Sequence, residues 1–539
     1  MKKLLFTLLI CYCPWIIASQ QSSVAFNQPE FSKKIVPDFL FNPLQSDRIL
    51  PAYKSGDMAE EYEKQIAIKR IRIQGNTVLT KQQILPVVKP FIGKQVSISD
   101  LQQLRYQISA LYYKQGYINS GVLLPDQEIK QGIVIFRAVE GELSQIHLKG
   151  NKHLADTYVL NKVFQGAGKP LNIQSLKQSI LLLEQDPLIE TIRARLYPST
   201  ELGKSELNIE IRERKMYQII LGADNYRSPI IGSERGYINL QHNNITGFSD
   251  SVSAQFGVTE GLQDYALHYS IPMDVIRSRF GAYYQNTDAR VISEEARDLN
   301  IESQSAVWGV LWTYQLKPNN LRPKEFSWGL ENSNSYATIS GIESENQSTA
   351  MIFSTNWLSR SSESLSDLTA GITVGKAAVD SLILNDDAEG TYGLFSFDSI
   401  YQKRVNTWSQ LLFKSKLQYA SKTLLGVEKI ALGGAATVRG YRENTLNRDN
   451  GFLFNAEWLS RPWFQSLNFN VFSDYAVGWN KTKDSDQEHL LSIGAGFSWQ
   501  GIKKLNLEVM LGIPLINRPD ESENLQDFGL HFGLQYSVF

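Results

Sequence analysis

From Met216 to the C-terminus the chain alternates apolar and polar residues, and this pattern constrains its fold more than any other feature. Val252, Ala254, Phe256 and Val258 alternate with Ser251, Ser253, Gln255 and Gly257. Leu505, Leu507, Val509, Leu511 and Ile513 alternate with Asn506, Glu508, Met510 and Gly512, and Phe528 to Tyr536 follows the same rule. Period two means strands whose two faces meet different surroundings. A soluble β-sandwich satisfies that pattern, and so does a barrel in a membrane. Aromatics near the strand ends and strands running to the last residue, Phe539, favour the barrel. Residues 216–539 number 324. Sixteen strands would take about 20 residues each, enough for a tilted membrane strand of about ten plus half of its connections.

The N-terminus agrees. Lys2 and Lys3 precede an apolar run from Leu4 to Ile17 that ends at the small residues Ala18 and Ser19, the form of a cleaved export signal over residues 1–19. Pro14 interrupts the run and it is short for a membrane anchor. Ile10 before Cys11 argues against a lipoprotein. Beyond the signal no apolar stretch is long enough for a membrane helix, so the mature chain is either soluble or enters a membrane as a barrel. Cys11 and Cys13 are the only cysteines, leaving the mature chain without a disulfide or a thiolate metal site. Six scattered histidines form no HExxH pair, and no metal or cofactor is expected. A net charge of −1 without long charged runs argues against nucleic acid as a partner.

Between these regions the chain changes character twice. Residues 20–65 hold Pro29, Pro37, Pro43 and Pro51, and read as a linker or short plug segment with at most brief helical pieces. At Ile66 a repeat begins: Arg72-Ile73-Gln74-Gly75-Asn76-Thr77-Val78-Leu79 returns as His147-Leu148-Lys149-Gly150-Asn151-Lys152-His153-Leu154. Each copy is a strand ending in a Gly-Asn turn. An amphipathic helix follows, with Leu101, Leu104, Ile108, Leu111 and Tyr112 on one face in the first copy, and Leu176, Ile180 and Leu183 in the second. Ser99 and Asn172 are the expected caps and Gly116 the stop of the first helix. The runs Ile133 to Val139 and Leu207 to Ile211 close the units. Two small α+β modules are expected, over residues 66–141 and 142–214, before a barrel over 216–539.

One barrel segment does not read as a strand: Ala431-Leu432-Gly433-Gly434-Ala435-Ala436-Thr437-Val438-Arg439-Gly440-Tyr441-Arg442-Glu443. It would serve equally as an ordinary external loop. Strand parity supplies a partner for its arginine. From Ser466 to Trp479 the apolar face carries Leu467, Phe469, Val471, Tyr475, Val477 and Trp479, so Phe472 and Asp474 face the lumen. A loop folded inward could set Arg439 on Asp474 as a bidentate pair; otherwise Asp474 is simply a hydrated lumen carboxylate.

Val438-Arg439-Gly440-Tyr441 resembles the inward-folded loop motif of the outer-membrane barrel superfamily that carries POTRA domains, and Phe472-Ser473-Asp474 resembles the strand motif that receives it. Gly116-Tyr117, Pro125-Asp126-Gln127 and Val139-Glu140-Gly141 resemble the first POTRA domain of two-partner secretion transporters (TpsB, haemolysin secretion/activation type). Asp224-Asn225, Asn244 to Asp250 and Tyr269-Ser270-Ile271-Pro272 are similar to that family's opening barrel strands. The resemblance spans about Ile66 to Phe539. It implies a 16-stranded transmembrane antiparallel β-barrel behind two POTRA domains, which secretes a partner exoprotein of haemolysin or adhesin type without ATP. It implies client binding somewhere within 66–214, a gating loop at Val438, Arg439, Gly440 and Tyr441, and a site in the outer membrane with the POTRA domains in the periplasm.

Three departures stand out. Pro29 and Pro37 leave little room for a plug helix. Ala476 stands where the strand motif often has glycine, and Phe539 breaks the phase of the last strand. Gly166-Ala167-Gly168-Lys169 is a fragment of a phosphate loop, but Val163 and Pro170 occupy the positions where that loop needs glycine and Ser or Thr. The competing readings are a barrel-assembly insertase, whose relatives usually carry three or more POTRA units, and a passive porin.

Overall fold

Alternation on this scale closes on itself. The computed structural model describes residues 40–41, 65–184, 186–273, 277–316, 324–381, 386–462, 466–482, 486–516 and 524–538. Sixteen strands, from Tyr217–Asp224 to Leu530–Ser537, form a closed antiparallel barrel. Neighbours follow chain order, and the last strand pairs with the first from Ile220↔Ser537 to Asp224↔Gly533. Closure leaves no unpaired edge to desolvate, which is what a membrane demands of strands.

Register then sorts the two faces. Trp312, Trp328, Phe353, Ile372, Phe395 and Tyr419 are consecutive cross-strand partners. All but Trp312 rank among the large exposed apolar side chains of the protein. Such a row facing water would be an aggregation surface; against hydrocarbon it is the solvent-matched face. The opposite face carries Gln285, Glu331, Ser348, Asn470, Asp474 and Ser492, all buried. No helix among the described residues is long and apolar enough to cross a membrane. The final strand runs from Leu530 to Ser537, not from Phe528, because Gly529 turns the backbone at φ +72°. Phe539 and the signal over residues 1–19 lie outside the described residues.

Residues 65–215 build two separate cores. Ile68, Leu104, Ile108, Tyr112, Val134 and Phe136 centre one; Val159, Leu176, Ile180, Leu183, Leu207 and Ile209 centre the other. Each joins a small sheet to two helices, one helix more than the periodicity predicts. Lys81–Val88 is only eight residues and contains Pro86, so little period shows. Asp156–Ala167 follows its Gly-Asn turn so closely that it reads as part of it. The first long helix starts at Ile98, capped by Ser97 rather than Ser99, because Asp100 returns a bond to the Ser97 amide in a capping box. Asn172 caps the helix Ile173–Glu184 by accepting from the Gln174 and Ser175 amides. In the proline-rich linker, Leu40–Phe41 is a two-residue parallel strand beside Arg195 and Leu196.

The repeat proves deeper than its turn. Gly75 and Gly150 take φ of +82° and +92°, values that favour glycine. Asn76 and Asn151 each donate to a carbonyl three residues on, Leu79 and Leu154. A glutamate from the end of the module then grips the turn: Glu140 accepts from the Thr77 and Val78 amides, and Glu213 from those of His153 and Leu154. Burial pushes the Glu213 carboxyl up, but the amides and the His153 ring outweigh it and hold it below its ordinary 4.5. A depressed carboxylate stabilises above its unfolded value and loses that contribution as pH falls through the folded one. Glu213→Gln should therefore cost about 1–2 kcal/mol at neutral pH, and the gap to wild type should narrow below about pH 4.5. Urea denaturation of residues 65–215 at neutral and acid pH measures it; a gap that stays constant would mean the carboxylate charge holds nothing.

Candidate functional site: a loop folded into the barrel

Between the strands Ser409–Ala420 and Asn450–Ser460 the chain turns back into the barrel. Ile430–Leu432 and Leu446–Arg448 pair as a short hairpin. Ile430, Leu432, Val438, Tyr441 and Leu446 bury themselves against Leu453, Ala476 and Leu490 of the wall. This apolar seat explains why the segment does not extend into solvent. Ala476, the departure from the strand motif, is fully buried and its methyl is part of the seat.

Arg439 is the polar centre. Its Nε donates to Asp474 Oδ2 and its Nη2 to Asp474 Oδ1, each at 2.8 Å, the fork geometry that lysine cannot reproduce. Its backbone amide reaches Asp474 Oδ2 at 3.0 Å, and Nη1 reaches Glu457 at 3.0 Å. The guanidinium carbon lies 3.5 Å from the Phe472 ring centre. Asn455 ties the assembly together, donating to Asp474 Oδ1 at 2.8 Å and to the Thr437 carbonyl at 2.6 Å. Arg439 is 6% exposed and Asp474 is fully buried, so neither charge has bulk water to fall back on.

The rest of the tip fits the wall as closely. Gly440 has φ +99°, and a Cβ there would lie 2.8 Å from the Gly512 carbonyl carbon. A Cβ at Gly512 would lie 2.5 Å from the Arg439 carbonyl, so loop and wall touch backbone to backbone. Tyr441 donates to the Ile516 carbonyl and, at 2.9 Å, to that of Leu491. Arg442 pairs with Asp527 through both arms, and the Glu443 amide donates to Gln526. Gln526 in turn donates to the Asn225 and Arg227 carbonyls just past the first barrel strand. Asn225 accepts from the Phe532 amide and donates to the Leu530 carbonyl, fastening the first strand to the last.

The structure thus brings together Val438, Arg439, Gly440, Tyr441, Phe472 and Asp474. Parity reasoning missed Asn455 and Glu457, which lie across from Asp474 and Phe472 in the neighbouring strand; only the register reveals them. Asp527 and Gln526 lie in a loop and carried no signal. Other motif residues are local fasteners. Asn244 accepts from the Ser249 amide, Asp250 from Thr246, and Gln127 makes two strand-like bonds with Ile135. Gly166 serves helix packing, since a Cβ there would lie 1.7 Å from Ser179 Oγ.

Comparison with known proteins matches the barrel and the first module. Residues 203–500 match the family "Haemolysin secretion/activation protein ShlB/FhaC/HecB", and residues 66–141 match "POTRA domain, ShlB-type". The heme/hemopexin transporter protein HuxB of Haemophilus influenzae is 23% identical over 94% of this chain and 95% of its own length. The hemolysin transporter protein HpmB of Proteus mirabilis is 24% identical over 86% of this chain and 85% of its own. Among solved structures, CdiB from Escherichia coli superposes with a TM-score of 0.66 at 19% identity, covering 98% of this chain and all of that one.

Proposed function

The chain belongs to the haemolysin secretion/activation family, and on that premise we propose that it captures one unfolded exoprotein in the periplasm and passes it outward past the loop carrying Arg439. It is an outer-membrane barrel, and the family's POTRA modules face the periplasm. The observation that carries the mechanism is a lumen holding a loop fastened by a buried, bidentate ion pair. A sixteen-stranded barrel is wide enough for an aqueous channel, so an unobstructed lumen would leak; a loop held by discrete contacts can close it and be displaced. Exposed strand edges of the modules accept an extended client as an added strand, through backbone bonds that demand little of its sequence. Folding of the client outside draws it through. The client is of the haemolysin or adhesin type, the outer-membrane lipid is the barrel's solvent, and neither nucleotide nor nucleic acid takes part.

The insertase reading makes a different forecast. Co-expression with a candidate partner exoprotein should raise the level of that one protein in the medium. The abundance of other barrels in the outer membrane should not change. Many barrels falling on deletion of the chain, with the exoprotein unaffected, would favour the insertase instead.

A further inference from the structure

The wall is joined by the fewest bonds where its two ends meet. The first and last strands pair over five residues each, Ile220–Asp224 against Gly533–Ser537. Among the described residues every other neighbouring pair in the ring spans seven or more. Past Asp224 side chains take over from the ladder. Asn225 accepts from the Phe532 amide at 2.8 Å and donates to the Leu530 carbonyl at 2.9 Å. Gln526 comes next, fully buried in the turn 524–529 that leads into the last strand. Its Nε2 donates to the Asn225 carbonyl at 2.5 Å and to the Arg227 carbonyl at 2.8 Å. Asn524 of the same turn donates to Ser233 Oγ at 2.8 Å. The turn is itself well tied: the Asn524 amide donates to Asp527 Oδ2 at 2.8 Å, and the Gln526 amide to Asn524 Oδ1 at 3.0 Å. Its other side holds the inward loop. Gln526 Oε1 accepts from the Glu443 amide at 2.9 Å, and Asp527 receives both arms of Arg442. One buried carboxamide thus has its acceptor on the loop and its two donor hydrogens on the end of the first strand.

We infer that Gln526 is a positioning residue that couples the seating of the inward loop to the closing of the joint between first and last strands. With the loop in place, the Glu443 amide fixes the carboxamide in the orientation that presents both N–H groups to the Asn225 and Arg227 carbonyls. With the loop displaced, that orientation is no longer held and the shortest pairing in the wall loses a fastener. The consequence for secretion rests on reading this loop as the gate; the coupling itself does not, and it can be measured without a client.

Hydrogen exchange read by mass spectrometry on the purified full-length protein in detergent tests it, with four proteins compared. They are the wild type, Gln526→Leu, a variant whose loop is shortened, and the combination of the two changes. Leu432 and Leu446 face each other in the short hairpin, so a two-residue glycine turn can replace residues 433–445 and leave the hairpin closed. Amides of the first and last strands, Tyr217–Asp224 and Leu530–Ser537, should exchange about tenfold faster in Gln526→Leu and about tenfold faster with the short loop. The combination should exchange no faster than either change alone, because each removes the same fastener. Strands Lys324–Ile339 and Ile342–Arg360, on the opposite side of the ring, should not change. A residue that merely stabilises the barrel would not make the effect of the loop depend on its own presence. If Gln526→Leu gives no heat-modifiable barrel, Gln526→Glu takes its place. Its carboxylate still accepts from the Glu443 amide but has no hydrogen for the two carbonyls, and the same pattern is expected. Loop shortening that leaves the first and last strands unchanged, two effects that multiply in the combination, or equal acceleration of the opposite wall would each overturn the inference.

Discussion

Arg439→Ala is expected to bring client secretion to background while the barrel still assembles. The guanidinium makes two 2.8 Å bonds to Asp474 and a third to Glu457 in a buried setting. Removing it leaves Asp474 with the backbone amide of position 439 and Asn455 as donors, and takes the cation from both Asp474 and Glu457. Deleting one partner of a buried pair typically costs about 3–5 kcal/mol, most of it the stranded charge. Asp474→Ala should cost a similar amount, and the double mutant less than the sum, with coupling of about 1 kcal/mol or more. Arg439→Lys should recover only part of the loss, since an ammonium offers neither the fork nor the flat face over Phe472. Urea-dependent loss of heat-modifiable migration gives the stabilities, and exoprotein in the medium gives the activity. Strictly additive effects would mean that Arg439 and Asp474 act independently, and the latch would be wrong.

How much of this was legible beforehand follows from which interactions a one-dimensional pattern can encode. Period two assigns each residue of a strand to one of two faces, so Asp474 in the lumen follows from its neighbours alone. Its partner across the barrel does not, because Asn455, Glu457 and Gly512 come into reach through register and closure. The inward fold of the loop was legible only by resemblance to a family. Its physical cause, the apolar seat around Ala476 and Leu490, is assembled from three separate segments. In the modules the Gly-Asn turns announced themselves because positive φ restricts residue choice. The glutamates that close them, 63 residues on from Thr77 and 60 from His153, were hidden by the unequal offsets. Extending the repeat to the last strand of each unit would have found them.

Removing residues 66–214 should separate the two halves of the mechanism completely: a barrel that still inserts, and secretion reduced to that of cells lacking the chain. Both module cores close within the deleted segment, around Tyr112 and Phe136 in one and Val159 and Leu176 in the other. The barrel closes through its own strands, Tyr217–Asp224 against Leu530–Ser537, with Asn225 fastening them. Neither unit's hydrophobic core depends on residues of the other, so the deletion removes no part of the wall. What it removes is the proposed client-holding surface, the exposed strand edges of the two modules. Without it, a client must find the lumen by diffusion while periplasmic proteases compete for it. Outer-membrane fractionation and heat-modifiable migration test the first half, and exoprotein in the medium tests the second. Restoring only residues 66–141 or only 142–214 then asks whether one module suffices. Normal secretion by the full deletion would mean that the barrel itself recognises the client, and the modules would need another role.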